Sequence, residues 1–486
     1  MIVLKYPEGM YFMGKSKDKI RIEFIGNNAE EVTGSMILIT TDNNKKILLE
    51  CGLIQSANSI VDFKENAKPF PFKSKDIDYI FINHVHADHC CRVCKVIKEG
   101  FNGKVITTSI TAKLMKPMLT DSANIIKSDA EYISRKRKKS VVSYYTVENV
   151  DETLNVTYEY DYGEIYKLDD EISFKFLKNS HLIGASQLEL YIKKRNGHIV
   201  KILYTSDLGS SIIKNHYVDD LEYCSKSNIV ISECTYGKRE KDRNYNRKKD
   251  LEKLNSVINQ VCKVNKGRIL IPVFSLGRSH QILTDLYLMY GENENFDIPI
   301  IVDSPLIWKL TKLQQEIFTG ENKELFKKVC NWKNVRFITD YNESKLCVLD
   351  KSPKIVLSSS GFLIKGRSIN YLKEYISNSN DHILSVGYAP DYSIAGKIKN
   401  GQKYISIDGK SYKNRCGLTI LNSYSSHIQR TELLNYLKTI NCEKIYLVHG
   451  DMDGKLEFKE DLEKELSKMN KTTKVVATNS ATVCSL

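Results

Sequence analysis

Residues 77–89 read IDYIFINHVHADH, and this stretch decides the fold. Its first half is an apolar run typical of a buried strand, and its second half places four metal-binding side chains within six residues. Ligands this dense on a loop that leaves a strand can turn alternate side chains toward two neighbouring metal positions. The stretch therefore predicts a metal centre at the end of a strand, built from His84, His86, Asp88 and His89.

The rhythm of the chain predicts an α/β protein with an inserted domain. Short β-rich runs dominate residues 20–207, whereas from about residue 210 to 388 apolar strands alternate with long helices, as in a mainly parallel sheet. No linker rich in Pro, Gly or Ser separates the two parts, so an insertion into a domain that later resumes explains the order. We predict a first domain in two parts and one insertion, with bounds 1–210, 211–390 and 391–486.

The composition indicates a globular chain with a polyanionic partner. The 486 residues are too many for one ordinary core, and 42% of them are hydrophobic against 27% charged. A net charge of +13 favours RNA, DNA or an acidic membrane surface without choosing among them. No apolar run is long enough to span a membrane and the N-terminus lacks the order of a signal peptide, so we expect no membrane partner and a cytoplasmic protein.

The twelve cysteines do not predict a disulfide framework. They are scattered singly except for Cys90, Cys91 and Cys94, which suits reduced thiols. That trio follows the histidine cluster directly, but no second Cys or His pair stands at zinc-finger spacing. We expect packed thiols there and no further metal site.

The motif HVHADH matches the H-x-H-x-D-H signature of metallo-β-lactamase-fold hydrolases, and other blocks along the chain stand in the right order. Four blocks resemble the successive strands and loops of that fold, namely EVTGSMILI, ILLECGLIQ, SHLIGASQLEL and ILYTSDLG. The β-CASP insertion is resembled by SECTYG, RILIPVFSLGR, IIVDSPL, KIVLSSSGFL and ILSVGY, and the returning part by SYSSHIQ and IYLVHGD. From about residue 21 to its end, the chain resembles the β-CASP nucleases, the group of ribonuclease J and the mRNA 3′-end-processing nuclease.

The resemblance implies a metallo-β-lactamase αββα sandwich with an inserted β-CASP domain on a mainly parallel sheet, and two zinc ions per chain. One zinc would be held by His84, His86 and His181. The other would be held by Asp88, His89 and His427, with Asp207 bridging the two. The motif around His427 departs from the family, because the usual small residue and Asp are replaced by Ile428 and Gln429. His449 in LVHGD would lie near the site rather than on a metal.

Three further positions of the family pattern are considered as catalytic or supporting groups. Glu233 in SECTYG matches an acidic motif that, in relatives, orients a histidine thought to protonate the leaving oxygen. Lys397 falls near the place of that histidine, so the general acid is Lys397, a water or a residue not yet located. Glu50 replaces the usual Asp of ILLDCG, and its extra methylene would shift a carboxylate that supports the metal loop.

Substrate contacts are predicted at two kinds of feature. Ser359, Ser360 and Gly361 resemble a loop that faces the cleft between the domains, where free N–H groups could cradle a phosphate. Arg278 and Arg367 open predicted helices, where the helix N-terminus and the guanidinium both suit phosphates.

These observations favour a zinc-dependent ribonuclease. A hydroxide bound to two metals would hydrolyse single-stranded RNA threaded between the domains, leaving a 5′-phosphate and a 3′-hydroxyl. The RNA preference rests on the resemblance, so a DNA-directed nuclease of the same superfamily stays open. A catalytically inactive RNA-binding subunit is the alternative from another class. The residues do not decide between endonuclease and exonuclease action, and a homodimer also stays open.

Overall fold

The computed structural model describes residues 19–56, 58–238, 246–387, 389, 391 and 393–486. The N-terminal segment on which the prediction about a signal peptide rests lies outside them. Among the described residues, none of the helices combines the length and the apolar character needed to cross a membrane. The helices are α1 (Ser59–Ala67), α2 (Ala87–Cys90), α3 (Val93–Lys98), α4 (Ser109–Arg137), α5 (Val147–Asn155), α6 (Arg247–Ile258), α7 (Arg278–Tyr290), α8 (Pro305–Ile317), α9 (Gly320–Cys330), α10 (Tyr341–Leu349), α11 (Ser368–Tyr375), α12 (Ile394–Lys399), α13 (Arg430–Thr439) and α14 (Met452–Lys468).

The strands belong to three large sheets and one small hairpin. In chain order they are β1 (Arg21–Phe24), β2 (Ile37–Thr40), β3 (Lys46–Leu49), β4 (Tyr79–Phe81), β5 (Lys104–Thr108), β6 (Thr157–Tyr160), β7 (Tyr166–Lys167), β8 (Ile172–Lys178), β9 (Ser186–Lys193), β10 (Ile199–Tyr204), β11 (Ile229–Glu233), β12 (Arg268–Pro272), β13 (Ile300–Asp303), β14 (Val335–Ile338), β15 (Lys354–Ser358), β16 (His382–Val386), β17 (Tyr404–Ile407), β18 (Lys410–Lys413), β19 (Gly417–Leu421), β20 (Lys444–Val448), β21 (Lys474–Ala477) and β22 (Val483–Ser485).

Two seven-stranded sheets pack face to face and form the first domain. Their strand orders are β22-β1-β2-β3-β4-β5-β6 and β21-β20-β11-β10-β9-β8-β7. Buried aromatic and branched side chains from both sheets fill the space between them, including Phe81, Phe174 and Phe176. The outer faces are covered by α3, α4 and α5 on one side and by α13 and α14 on the other. The predicted αββα sandwich is therefore confirmed.

The third sheet is the core of the insertion. Its order is β14-β13-β15-β12-β16-β19, and each of its neighbouring pairs is parallel. Helices cover both faces of this sheet, with α6 and α7 on one and α11 and α12 on the other. Parallel strands buried on both faces read as continuous apolar runs, which is why runs such as residues 269–271 predicted this sheet.

Strand pairing assigns β11 and β19 to different sheets. β11 pairs in parallel with β10 and β20 in the second sheet, whereas β19 pairs in parallel with β16 in the third. All strands of the third sheet therefore lie between β11 and β20 in the chain, and the bounds at 210 and 390 stay a prediction. β11 reads as one more apolar strand before a helix, and that local pattern does not show which sheet it joins.

Two glycines allow the segments around the site to approach each other closely. A Cβ atom on Gly52, just after β3, would lie 1.6 Å from the backbone oxygen of Asp88. A Cβ atom on Gly209 would lie 1.9 Å from the backbone oxygen of Ser180. Only a residue without a side chain fits at such distances, so glycine brings the predicted metal loop and the segment of His181 against the strand ends.

A buried carboxylate on α7 joins the insertion to the first domain. Asp285 is 4% exposed and accepts hydrogen bonds from Arg247 at 2.5 Å and from the hydroxyl of Tyr424 at 2.7 Å. Its other oxygen lies 2.9 Å from Nε2 of His216, in the segment that follows β10. Burial opposes ionisation of Asp285, but His216 and Arg247 outweigh it and lower the pKa of the carboxyl group.

Replacing this carboxylate by an amide should destabilise the protein. We expect Asp285→Asn to lower the free energy of unfolding by about 2 to 3 kcal/mol, because the buried position loses its charge while the half-buried guanidinium of Arg247 loses its counter-charge. Chemical denaturation measures the change. Asp219, 43% exposed and paired with Lys178, provides the matched control, and Asp219→Asn should cost less than about 0.5 kcal/mol. Equal losses in the two variants would contradict a special role for Asp285.

Candidate metal centre and catalytic site

The candidate site lies where several strands of the first domain end. Parallel strands present their carboxyl ends at the same edge of a sheet, so side chains that follow them can converge. The loop with the HVHADH motif follows β4, and His181 follows β8. The remaining members are Asp207 after β10, Glu233 at the end of β11 and His449 after β20.

The first group of metal-binding atoms has four members. Each pair of their donor atoms lies within 4.8 Å, and the members are His84, His86, His181 and Asp207. Nε2 of His181 lies 3.3 Å from Nδ1 of His86, and Oδ2 of Asp207 lies 3.7 Å from Nε2 of both His84 and His181. Three imidazoles and one carboxylate at this spacing match the donor set of a zinc site.

A second group shares Asp207 with the first. The donor atoms of Asp88, His89 and His449 also lie within 4.8 Å of one another. Oδ1 of Asp207 is 3.3 Å from Nε2 of His89 and 3.4 Å from Nδ1 of His449. One oxygen of Asp207 therefore faces the first group and the other faces the second, as a bridging carboxylate does.

Several polar atoms in the two groups are buried and make no hydrogen bond with any described residue. They are Nε2 of His84, Oδ1 of Asp207 and Nε2 of His449. Buried nitrogen and oxygen atoms are nearly always satisfied in folded proteins, so a cluster of orphans needs a missing partner. Imidazole and carboxylate ligands suit Zn²⁺. The residues present therefore fit metal ions.

The electrostatics put the first group in the protonation states that metal binding needs. Burial lowers the pKa of His84 and His181 well below the usual range and lowers the pKa of His86 to about 4. Burial opposes ionisation of Asp207, but His449 and His89 outweigh it and hold the pKa of the carboxyl group well below its usual value. Neutral imidazoles thus face an ionised carboxylate.

Glu50 supports the site from behind. Its side chain is fully buried and accepts hydrogen bonds from the backbone N–H of Asn83, at 3.2 Å and 3.3 Å, and from the hydroxyl of Ser206 at 3.0 Å. Its Oε1 also lies 3.5 Å from Nδ1 of His89. Glu50 therefore ties the start of the metal loop to the residue before Asp207. Weaker metal affinity caused by its extra methylene stays a prediction.

His427 and His449 occupy different places from those that the sequence predicted. His449, expected beside the metals, groups with Asp88 and His89, whereas His427, expected as their third ligand, does not. Nδ1 of His427 lies 3.3 Å from both carboxylate oxygens of Glu233, and His427 also groups with Asp207 and His449. The available signal was the apolar strand β20 directly before His449, buried from Ile445 to Val448, which repeats the arrangement before the HVHADH loop.

The structure does not bring Lys397 to this site. The side chain is exposed on α12, whose buried positions include Ala395 and Ile398 on the face toward the third sheet. Within the described part of the chain, no hydrogen bond or ion pair links Lys397 to the histidine cluster. The helical period turns this lysine to the exposed face of α12, and its role as general acid stays a prediction.

The side chain of Phe274 lies between the first group and the loop of Ser359, Ser360 and Gly361. The loop follows β15 and packs on Phe274, since a Cβ atom on Gly361 would lie 3.3 Å from the backbone nitrogen of Phe274. The ring of Phe274 is in turn 6.5 Å from the ring of His86. The predicted phosphate loop therefore lies close to the metal groups.

The two arginines predicted to bind phosphate differ in their partners. The guanidinium of Arg278 lies 4.8 Å from the ring centre of Phe274, and its Nε donates to the backbone oxygen of Tyr424. No described carboxylate pairs with it, and burial lowers its pKa to about 10. Arg367 instead forms an ion pair of 2.5 Å with Asp303, which is fully buried. Arg278 therefore has no carboxylate partner among the described residues, whereas Arg367 is paired with Asp303 within the insertion.

Three family models match the chain. A Beta-Casp domain model matches residues 279–398, and a model described as a Zn-dependent metallo-hydrolase RNA specificity domain matches residues 412–475. A model for the anti-Pycsar protein Apyc1 matches residues 22–262. The first two lie in the insertion and in the returning part of the chain.

Characterised relatives align with most of the chain. Ribonuclease TTHA0252 of Thermus thermophilus is 27% identical over 87% of this chain and 91% of its own length. Transcription termination factor FttA of Methanocaldococcus jannaschii is 25% identical over 90% of this chain and 68% of its own length. Integrator complex subunit 11 of Danio rerio is 24% identical over 90% of this chain and 70% of its own length. With its αββα sandwich, parallel insertion and His/Asp cluster, the chain belongs to the β-CASP metallo-β-lactamase family of metallo-hydrolase nucleases.

Proposed function

We propose that this protein is a zinc-dependent ribonuclease that hydrolyses RNA phosphodiester bonds and leaves a 5′-phosphate and a 3′-hydroxyl. The observation that carries the proposal is the pair of donor groups that share Asp207. The match to an RNA specificity domain and the ribonuclease among the relatives support RNA as the substrate. The net charge of +13 supports a polyanionic substrate.

Two zinc ions per chain fit the two groups. The first would be held by His84, His86 and His181. The second would be held by Asp88, His89 and His449, with Asp207 shared between them. This set places His449 where the sequence suggested His427. When bound, the two ions would supply Lewis acidity toward water and toward the phosphate oxygens.

His427 takes the role of general acid in this proposal. Its Nδ1 faces both oxygens of Glu233, so the carboxylate orients the ring and stabilises the imidazolium form. The ring stands beside Asp207 and His449, where it can hold a proton on Nε2 toward the leaving 3′-oxygen. Glu233 also accepts a hydrogen bond from the backbone N–H of Leu208, the residue after Asp207. This bond holds the Glu233–His427 pair beside Asp207.

The substrate strand would pass between the two domains. Arg278 offers a guanidinium without a carboxylate partner among the described residues, and the loop of Ser359, Ser360 and Gly361 lies close to the metal groups. Both would bind phosphates that flank the scissile bond. Phe274 lies between these elements and the ring of His86, so the phosphate contacts and the reacting bond share one surface.

Metal content and cleavage together test the main proposal. We expect about two zinc ions per chain by elemental analysis and cleavage of end-labelled RNA that stops with chelator and returns with zinc. Asp207→Ala should remove measurable cleavage, because both groups lose their shared ligand. Cleavage of single-stranded DNA at a rate equal to RNA would support the DNA-directed alternative. Two zinc ions with no cleavage of either strand would support an inactive RNA-binding subunit.

The general acid can be tested separately from metal binding. We expect His427→Ala to lower kcat by ~10²- to 10⁴-fold while the zinc content stays unchanged, and Lys397→Ala to leave the rate unchanged. An RNA with a 3′-phosphorothiolate at the cleavage site has a leaving sulfur that needs little protonation. This substrate should restore most of the rate of His427→Ala. Loss of zinc in that variant would instead make His427 a ligand.

A further inference from the structure

The hydroxyl group of Thr235 lies between the ring and the backbone of His449. Oγ1 of Thr235 is 2.9 Å from Nδ1 of His449 and 3.2 Å from the backbone oxygen of the same residue. Thr235 is the second residue after the end of β11, and His449 is the first residue after β20. Because β11 and β20 are parallel neighbours, the two residues meet at the same sheet edge.

One hydroxyl group has one proton, and this fixes the tautomer of His449. The carbonyl oxygen can only accept, so the hydroxyl donates to it. The hydroxyl oxygen then accepts from Nδ1–H of the ring, and Nε2 keeps its lone pair. That Nε2 atom is buried without a hydrogen bond among the described residues, and it lies 3.5 Å from Oδ2 of Asp88. The opposite tautomer would place the proton between Nε2 and Oδ2 of Asp88, whereas here the protonated Nδ1 lies 2.9 Å from Oγ1 of Thr235 and 3.4 Å from Oδ1 of Asp207.

The backbone of His449 needs the same support. Its φ of 51° lies in the left-handed region, which is unfavourable for a residue with a side chain. The N–H of His449 donates to the backbone oxygen of Asn28 at 2.6 Å, and its own oxygen accepts from Thr235. Both polar groups of this peptide are therefore held, and the ring is aimed from a fixed backbone.

Thr235 is also linked, through Glu233, to His427, the proposed general acid. Its backbone N–H donates to Oε2 of Glu233 at 3.3 Å, and Glu233 faces Nδ1 of His427. The end of β11 thus orients two histidines, one through a carboxylate and the other through a hydroxyl. The backbone from Glu233 to Thr235 therefore contacts both the proposed general acid, His427, and the proposed ligand, His449.

We propose that Thr235 is a positioning residue that fixes the tautomer and the orientation of His449 for the second zinc. The inference rests on the proposed function, because it requires His449 to be a ligand. Hydrogen bonds to the second nitrogen of a metal-bound imidazole strengthen binding, and their loss costs about 10- to 100-fold in metal affinity.

Zinc affinity tests the inference without use of the catalytic reaction. The metal-free full-length protein is titrated with zinc in competition with a chromophoric chelator. We expect Thr235→Val to weaken the second zinc by ~10- to 100-fold and Thr235→Ser to stay within ~3-fold of the unchanged protein. Thr473→Val is the matched control, because the Thr473 hydroxyl donates to the backbone oxygen of Cys442 at 2.6 Å, away from the donor groups. It should leave both affinities unchanged.

His449→Ala separates failure of the inference from failure of the proposed function. If His449→Ala weakens the second zinc but Thr235→Val does not, the role of Thr235 is overturned and the ligand set stands. If His449→Ala leaves both affinities unchanged, the ligand set itself fails. Nitrogen-15 NMR of the imidazole in the metal-free protein gives a second measurement. It should show the proton on Nδ1 and its redistribution to Nε2 in Thr235→Val, and an unchanged proton position would also overturn the inference.

Discussion

The carboxylate of Asp207 is the interaction on which the site depends. Each of its oxygens faces a separate group of histidines, and His449 and His89 hold the pKa of the carboxyl group low although it is almost completely buried. A carboxylate in such surroundings costs several kcal/mol of desolvation unless positive charge stands beside it. Metal ions at both oxygens would supply that charge. The burial, the orphaned nitrogen atoms and the convergence of strand ends therefore have one common explanation.

The rest of the first domain serves to bring distant segments to this carboxylate. Gly52 and Gly209 remove side chains at the two closest backbone approaches, and Glu50 joins the metal loop to the segment of Ser206. Behind these contacts lies the apolar packing of the two sheets, which fixes where each strand ends. Positions set by a packed core move little, so the donor atoms are pre-organised for their ligands.

The sequence predicted the parts of the site that are local. The HVHADH loop carries its spacing within one segment, and the αββα fold follows from the order of the strand motifs. The proposed exchange of His427 and His449 could not be predicted in the same way, because it depends on which strand stands beside β11. The predictions for Arg278 and Arg367 were limited in the same way, because partners of both come from distant parts of the chain. Both open helices, but Arg367 meets Asp303 from another strand, whereas Arg278 meets an aromatic ring.

The distribution of the donor atoms along the chain has a consequence for biosynthesis. Roughly 240 residues, including the whole insertion, separate Asp207 from His449. At translation rates of about 5 to 20 residues per second, a ribosome needs on the order of 10 to 50 s to make them. During that interval the nascent chain has the first donor group but lacks the histidine of the second. A cell therefore makes this protein in a form that completes its second donor group only after the whole insertion has been synthesised.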